Sequence, residues 1–474
     1  MFFERVYEKG LAQASYVIGC QSTKEAIVID PKRDIDTYLQ IADRENLKIT
    51  HIAETHIHAD FLSGSLELAN ATGADIFLSD EGGDEWQYKF EHRGLRDKDV
   101  ITVGNLKLEV MHTPGHTPEH ISFLLTDTPA SSEPVMMFTG DFVFVGDVGR
   151  PDLLEKAAGI QGTMIIGAKQ MFNSLKKFKS LPDHIQVWPA HGAGSACGKV
   201  LGAVPSSTVG YEKMSNWALK IEDEEHFVKS LLDGQPEPPK YFAMMKKLNK
   251  TGPAILDLLE HPLKLNSSDF QRAFREDYQI VDTRDKLSFA GGHIKGSLNI
   301  QDNNSFSHWS GWMLDYDKPI ILIAPDHRAN FLQRALIRIG MDNLKGYISD
   351  IEKLENLGMK MEVLNQIDAE ELNNNFSDFR IIDVRSYTEF EIAHIPTSVN
   401  IHTGYIEKQL DEIPSDEKLV IYCTSGDRSA IAASYLLRNG YKNVFNLSGG
   451  INGWKQSGYK ISKMNKEEIG ITTG

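Results

Sequence analysis

Around "VGNLKLEVM" apolar and polar residues alternate: Leu106, Leu108 and Val110 share one parity, Lys107 and Glu109 the other, with Gly104 and Asn105 before them as turn residues. That period of two predicts a half-buried strand entered from a tight turn. Similar short runs occur earlier. "EAIVID" closes at Asp30, "KITHIAET" leads into a stretch rich in His and Asp, and Leu62, Leu66 and Ala69 then fall at helical spacing. The first part therefore reads as sheet-rich α/β with a chemically loaded loop between a strand and a helix. In "DGQPEPPKYFAM" the prolines 236, 238 and 239 cannot continue a helix or a central strand. They predict a connector, and a first domain spanning 1–250.

The remainder repeats itself. "IVDTRDKLSFAGGHIKGSLNI" (280–300) lines up without gaps on "IIDVRSYTEFEIAHIPTSVNI" (381–401), pairing Asp282 with Asp383, Arg284 with Arg385, His293 with His394 and Asn299 with Asn400. Two copies of one module are expected, over 265–362 and 368–464. Further on, "KPIILIAPDHR" aligns with "KLVIYCTSGDR", which puts Ile323 opposite Cys423. One copy then has a thiol that the other lacks.

Length supports several domains, since 474 residues exceed one ordinary core. A formal charge of −16 offers nothing to phosphate backbones, so nucleic acid is not expected as a partner. No run approaches the ~20 apolar residues needed to span a bilayer, and the start has no secretory pattern. The expected location is the cytoplasm, with no membrane contact. Three cysteines, Cys20, Cys197 and Cys423, are too few for a disulfide framework. The acidic run "EDEEH" at 222–226 reads as a solvated helix face.

His56, His58 and Asp60 are followed by His116 in "HTPGHTPEH", Asp141 in "MFTGD" and His191 in "WPAHG", each at the end of a strand-like run. This ordered set resembles the metallo-β-lactamase superfamily over about the first 200 residues, which implies an αββα domain with a metal site. Members with two metals carry a further His where this chain has Phe61, and Phe61 has no lone pair to give. One metal per chain is expected. Two imidazoles and a carboxylate with other positions open suit non-haem Fe(II) and O2, and His56, His116 and Asp141 can supply them.

The segments "TGDFVFVGDVGRPDLL" and "PAHGAGSACGK" look like the persulfide dioxygenase branch of the superfamily. The resemblance implies that His58, Asp60 and His191 orient ligands and substrate, and that Arg150, Cys197 and Lys199 meet the substrate. Cys20, in "YVIGCQ", reads as a small buried residue.

"IYCTSGDRSA" places Cys423 and Arg428 at the two ends of a loop through Thr424, Ser425, Gly426 and Asp427, directly after an apolar strand and before a helical pattern. Backbone N–H groups and the helix N-terminus can stabilise a thiolate there, and Arg428 sits where an anion would need it. Protein phosphatases use one more residue between Cys and Arg. This spacing, with "AHIPTSVNI" and "NLSGGINGW", resembles rhodaneses, which carry sulfur on such a cysteine.

The order of dioxygenase, silent rhodanese and active rhodanese resembles fused bacterial persulfide dioxygenase–sulfurtransferases over nearly the whole chain. The resemblance implies an α/β multidomain enzyme that takes a low-molecular-weight thiol persulfide and O2 to sulfite, and passes sulfur to sulfite to give thiosulfate. Glutathione, coenzyme A, bacillithiol and cysteine persulfides are not distinguished. By analogy a homo-oligomer, dimer or tetramer, is expected. The rivals are a zinc-dependent thioester hydrolase of glyoxalase II type and a persulfide-sensing or sulfur-carrier protein.

Overall fold

The computed structural model describes residues 1–153, 155, 162–199, 201–256, 259–356 and 358–464. They fall into two units, one formed by Met1–Leu259 with Arg334–Gly340, the other by Glu260–Gln333 with the chain from Met341 onward. The helix Phe242–Thr251, which follows the prolines, still belongs to the first unit.

In the first unit, β1 (Phe2–Glu8), β2 (Gln13–Gly19), β3 (Glu25–Ile29), β4 (Lys48–Ala53), β5 (Asp75–Ser79) and β6 (Arg93–Leu95) lie in chain order in one sheet. A second sheet takes β7 (Val100–Val103), β8 (Leu106–His112), β9 (Ile121–Asp127), β10 (Met136–Gly140), β11 (Gln186–Pro189) and β12 (Ser207–Thr208), also in chain order. The alternating stretch is β8, with Leu106, Leu108 and Val110 buried and Lys107 and Glu109 exposed. Those three share a core with Ala14, Tyr16 and Ile18 of β2, so the inner faces of the sheets pack together. Val17, pointing the other way, packs with Tyr38 and Ile41 of the helix Asp36–Arg44 and with Leu68 of the helix Ser65–Thr72. Met137 does the same with Met171, Phe172 and Leu175 of the helix Thr163–Lys179. Helices cover the outer face of each sheet, and the layers are αββα.

Leu66 and Ala69 lie in the helix Ser65–Thr72, whereas Leu62 precedes it. The residues that this helix buries are Ser65, Glu67 and Leu68, because the Glu67 carboxylate accepts from Arg33 Nε at 2.9 Å inside the unit. The returning segment Arg334–Gly340 is bonded into the same unit. Arg338 donates to Asp34 at 2.7 and 2.6 Å and to Glu8 at 3.0 Å, and its carbonyl accepts from Leu62 N–H at 2.7 Å.

The second unit contains two parallel sheets. One has the order β15-β13-β16-β17, from β13 (Gln279–Asp282), β15 (Leu298–Asn299), β16 (Ile320–Ile323) and β17 (Leu344–Ile348), beside a short pair of β14 (His293–Ile294) with β18 (Met361–Glu362). The other has the order β19-β23-β22-β20-β21, from β19 (Asn365–Ile367), β20 (Arg380–Asp383), β21 (Val399–Asn400), β22 (Leu419–Tyr422) and β23 (Val444–Leu447). Residues shared by the repeats make the same contacts in both. Arg284 forks onto Asp282 and Arg385 onto Asp383, each pair closing at 2.6 Å. Asn299 and Asn400 each donate to the backbone carbonyls of their own Asp and Arg.

The ladders correct the alignment at the thiol. Asp282 pairs with Ile323 and Asp383 with Tyr422, so Ile323 matches Tyr422 and the place of Cys423 is held by Ala324. Between strand and helix the first copy has only Ala324 and Pro325, where the other copy has Cys423 to Gly426. A gapless alignment cannot show a shortened turn. Among the described residues no helix is long and apolar enough to cross a membrane.

Candidate functional site

Strands β8 and β10 both run antiparallel to β9, and β11 runs parallel to β10, so the three point the same way. Their C-terminal ends deliver His116, Asp141 and His191, while the end of β4 delivers the loop from Glu54 to Gly64. Gly140 turns the chain into Asp141 at φ 51°, and a Cβ there would meet His120 Nε2 and Thr55 Oγ1 at 2.6 Å.

His56, His116 and Asp141 are buried and offer ligand atoms all within 4.8 Å of one another. Each is fixed from behind. Thr55 Oγ1 donates to Asp30 at 2.9 Å and so accepts from His56 Nδ1 at 3.0 Å, while His116 Nδ1–H donates to the Arg150 carbonyl at 2.8 Å. The His120 ring holds Asp141 by accepting its N–H at 3.0 Å. The Nε2 lone pairs are thereby turned inward. Burial, aided for His56 by the neighbouring imidazoles, pushes both rings below their usual range, into the neutral form a metal requires. His56 Nε2 and both Asp141 oxygens have no hydrogen-bond partner. Unsatisfied buried groups cost roughly 1–3 kcal/mol each, and a divalent cation among these donors would remove that cost. The residues fit a metal.

His58 donates from Nε2 to Asp30 at 3.1 Å, and its buried Nδ1 is without a partner. Burial disfavours its charge, but Asp30, Glu54 and Asp60 outweigh this and push it up to about 9. Phe61 packs on the His58 ring at 4.4 Å. Asn249 pins this loop, donating to the His58 and Phe61 carbonyls at 2.8 Å and accepting from Ser63 N–H at 2.9 Å. No motif announces Asn249, which lies beyond the prolines. Asp60, His191 and Cys197 form a second buried group whose ligand atoms also lie within 4.8 Å of one another.

Two expected substrate contacts are placed otherwise. Arg150 is fully buried, with Nε and Nη2 on Asp152 at 2.7 Å and further bonds to the Ala196 and Pro236 carbonyls. Its donors are spent on the protein. Lys199 donates from Nζ to the Ser230 carbonyl at 2.7 Å. Cys20 lies in the core between the sheets, its sulfur accepting from Asn105 N–H at 3.3 Å.

In the second unit, Cys423 is buried at the start of its loop, and Gly426 at φ 103° turns its N–H onto Sγ at 3.1 Å. Ser429 Oγ lies 3.5 Å from the sulfur. The helix Asp427–Arg438 begins at the loop's end. Arg428 does not point freely at an anion: it forks onto Glu389 at 2.6 and 2.8 Å and donates to Thr424 Oγ1 at 2.7 Å. Burial raises the Glu389 pKa, but Arg428 outweighs it and holds the carboxyl down to about 2. The loop is also held from the first copy, where Lys286 Nζ donates to the Ser425 carbonyl at 2.7 Å and to Asp427 at 2.6 Å.

A metallo-beta-lactamase superfamily model matches residues 9–191, and a rhodanese-like domain model matches 268–355 and 368–457. A solved metallo-beta-lactamase from Staphylococcus aureus is 47% identical, covers 74% of this chain and 99% of its own, and superposes with a TM-score of 0.69. The mitochondrial persulfide dioxygenase ETHE1 of Bos taurus is 27% identical over 54% of this chain and 85% of its own length. A hydroxyacylglutathione hydrolase of Rhodospirillum rubrum is 32% identical over 37% of this chain and 60% of its own.

Proposed function

Because the chain belongs to the metallo-beta-lactamase superfamily and carries two rhodanese-like domains, we propose that it is a persulfide dioxygenase joined to a sulfurtransferase. The observation that carries this is the buried set of two imidazoles and one carboxylate at His56, His116 and Asp141, beside a loop in which Phe61 replaces a nitrogen donor. Similarity to persulfide dioxygenase ETHE1 supports it. One Fe(II) per chain held by these residues would supply O2 activation. Overall, R–S–SH with O2 and water gives R–SH and sulfurous acid, so the terminal sulfur is oxidised and O2 reduced. Thr55, Arg150 and His120 keep the three ligand side chains aimed inward, through the His56 and His116 Nδ1 atoms and the Asp141 backbone.

In the second step the Cys423 thiolate attacks the outer sulfur of a second R–S–SH, the S–S bond breaks, R–SH leaves, and Cys423 carries the sulfane sulfur as its persulfide. Sulfite attacks the outer sulfur, the S–S bond breaks, and thiosulfate leaves with the electron pair returned to Cys423 as thiolate. Gly426 N–H and the helix N-terminus stabilise that thiolate. The cytoplasm and a homo-oligomer belong to the same proposal.

A zinc hydrolase acting on glutathione thioesters is the second reading, favoured by the likeness to hydroxyacylglutathione hydrolase. Anaerobic purification, metal analysis and O2 uptake with glutathione, coenzyme A, bacillithiol and cysteine persulfides separate the two. Iron with persulfide-dependent O2 uptake is expected. Thioester cleavage by zinc protein that consumes no O2 would overturn it.

A further inference from the structure

Both ends of one peptide group are used at the thiol loop. The Gly426 N–H donates to Cys423 Sγ at 3.1 Å, and the carbonyl of the same peptide, that of Ser425, accepts from Lys286 Nζ at 2.7 Å. In a trans peptide the N–H and C=O point in opposite directions, so drawing the oxygen toward Lys286 aims the hydrogen at the sulfur. Backbone sterics do not enforce this. Gly426 sits at φ 103°, and with no Cβ it takes the opposite sign of φ as readily, so the peptide can turn over and present its oxygen to the sulfur instead. The next peptide is fixed within its own copy, since the Gly426 carbonyl accepts from Asn446 Nδ2 at 3.3 Å and from Ala430 N–H at 3.1 Å.

Lys286 belongs to the first copy, at the start of the helix Lys286–Gly291, and it does not reach across alone. Gln301 Nε2 donates to the Asp427 carbonyl at 3.3 Å, and Asn299 N–H donates to Ser434 Oγ at 3.0 Å. The first copy thus grips both the loop and the helix Asp427–Arg438 behind it. At the position of Lys286 the second copy carries Tyr387, so this cation is not a feature that the module repeats. We propose that Lys286 is a positioning residue for the thiol of the other copy: it holds the Ser425 carbonyl away so that the Gly426 N–H stays on the Cys423 sulfur, and a module without a thiol sets the reactivity of its neighbour's. The role in sulfur transfer rests on the reading of Cys423 as the carrier. A cationic donor on the oxygen also polarises the peptide and strengthens its N–H toward a thiolate. The charged groups around the loop come from both copies. Arg428, forked onto Glu389 of the helix Tyr387–Ile392, faces the sulfur and Asp383 at the end of β20, while Asp427 is paired with Lys286. Burial, aided by His402 and Arg428, pushes His308 of the helix Phe306–Met313 down to about 4.

The test is the pH dependence of Cys423 alkylation by iodoacetamide, located by peptide mass spectrometry, in the full-length parent, Lys286→Met, Lys286→Arg and the double variant Lys286→Met with Asp427→Asn. The double variant removes one charge of each sign, so a change that persists in it belongs to the peptide. In Lys286→Met and in the double variant the midpoint should rise by about 1 in pH, with alkylation about tenfold slower on the acid side, because a donor to the thiolate is lost. Lys286→Arg keeps a cationic donor within reach and should react like the parent. Far-ultraviolet circular dichroism matching the parent establishes that each variant is folded, and Lys286→Ala replaces Lys286→Met where it does not match. An unchanged profile in Lys286→Met overturns the proposal, as does a shift that disappears in the double variant, since charge alone would then explain it. A parent thiol inert at every pH overturns it too. Parent and variants that alkylate as expected, but gain no sulfur on Cys423 from glutathione persulfide, would instead sink the sulfurtransferase reading and leave the positioning by Lys286 standing.

Discussion

His116 meets the metal position through Nε2 and is locked by the Arg150 carbonyl through Nδ1. His116→Ala should abolish O2 uptake while sulfur transfer from thiosulfate continues, because Cys423 lies in the other unit. Paired assays on one preparation check this. At the thiol loop, Cys423→Ser should still consume O2 with persulfide but release mainly sulfite, measured early because sulfite also reacts with persulfide unaided. Thiosulfate at the parent rate would show that another group carries the sulfur. Glu389 gives a pH signature. Its folded pKa of about 2 lies below the ordinary 4.5, so its stabilising share is complete above about 4.5 and is lost as pH falls toward 2. Unfolding curves of Glu389→Gln and parent should therefore converge as the pH drops through that window.

The loop from Glu54 to Gly64 depends on an element beyond the prolines. Asn249, on the helix Phe242–Thr251, satisfies three backbone groups of that loop. Asn249→Ala should cost roughly 1–3 kcal/mol, read by urea unfolding, with weaker metal retention. For the silent copy, Ala324→Cys should give no persulfide labelling. A turn of two residues has no counterpart of Gly426, whose N–H is turned onto the Cys423 sulfur. Labelling equal to that of Cys423 would show that loop length is not what silences the copy. Element-scale features were legible where side chains announce them. The alternation in β8 is visible because one face of that strand is buried and the other exposed, and the paired Asp, Arg, His and Asn of the repeats because each does the same structural work twice. The shortened turn was not, since Ile323 stands opposite Cys423 as plausibly as Ala324 does until strand pairing fixes the register.

Across the whole molecule, the order of His and Asp segments along the chain told where the metal group lies, because each sits at a strand end and the sheet gathers those ends. What it could not tell is where long cationic side chains turn. Arg150 and Lys199 lie near the right motifs, yet the neighbouring Asp152 and the carbonyls of Ala196, Pro236 and Ser230 take them up, and those carbonyls come from segments distant in sequence. Arg338 is the extreme case. Asp34 and Glu8 receive its guanidinium, and Leu62, next to Phe61, gives its N–H to the Arg338 carbonyl. Gene fragments ending at residue 259 would thus express a first unit whose buried Asp34 keeps Lys32 but has lost Arg338, at a cost of roughly 1.5–3 kcal/mol for the charged hydrogen bonds given up. Shuffling the first unit onto a new partner would have to carry residues 334–340 along with it.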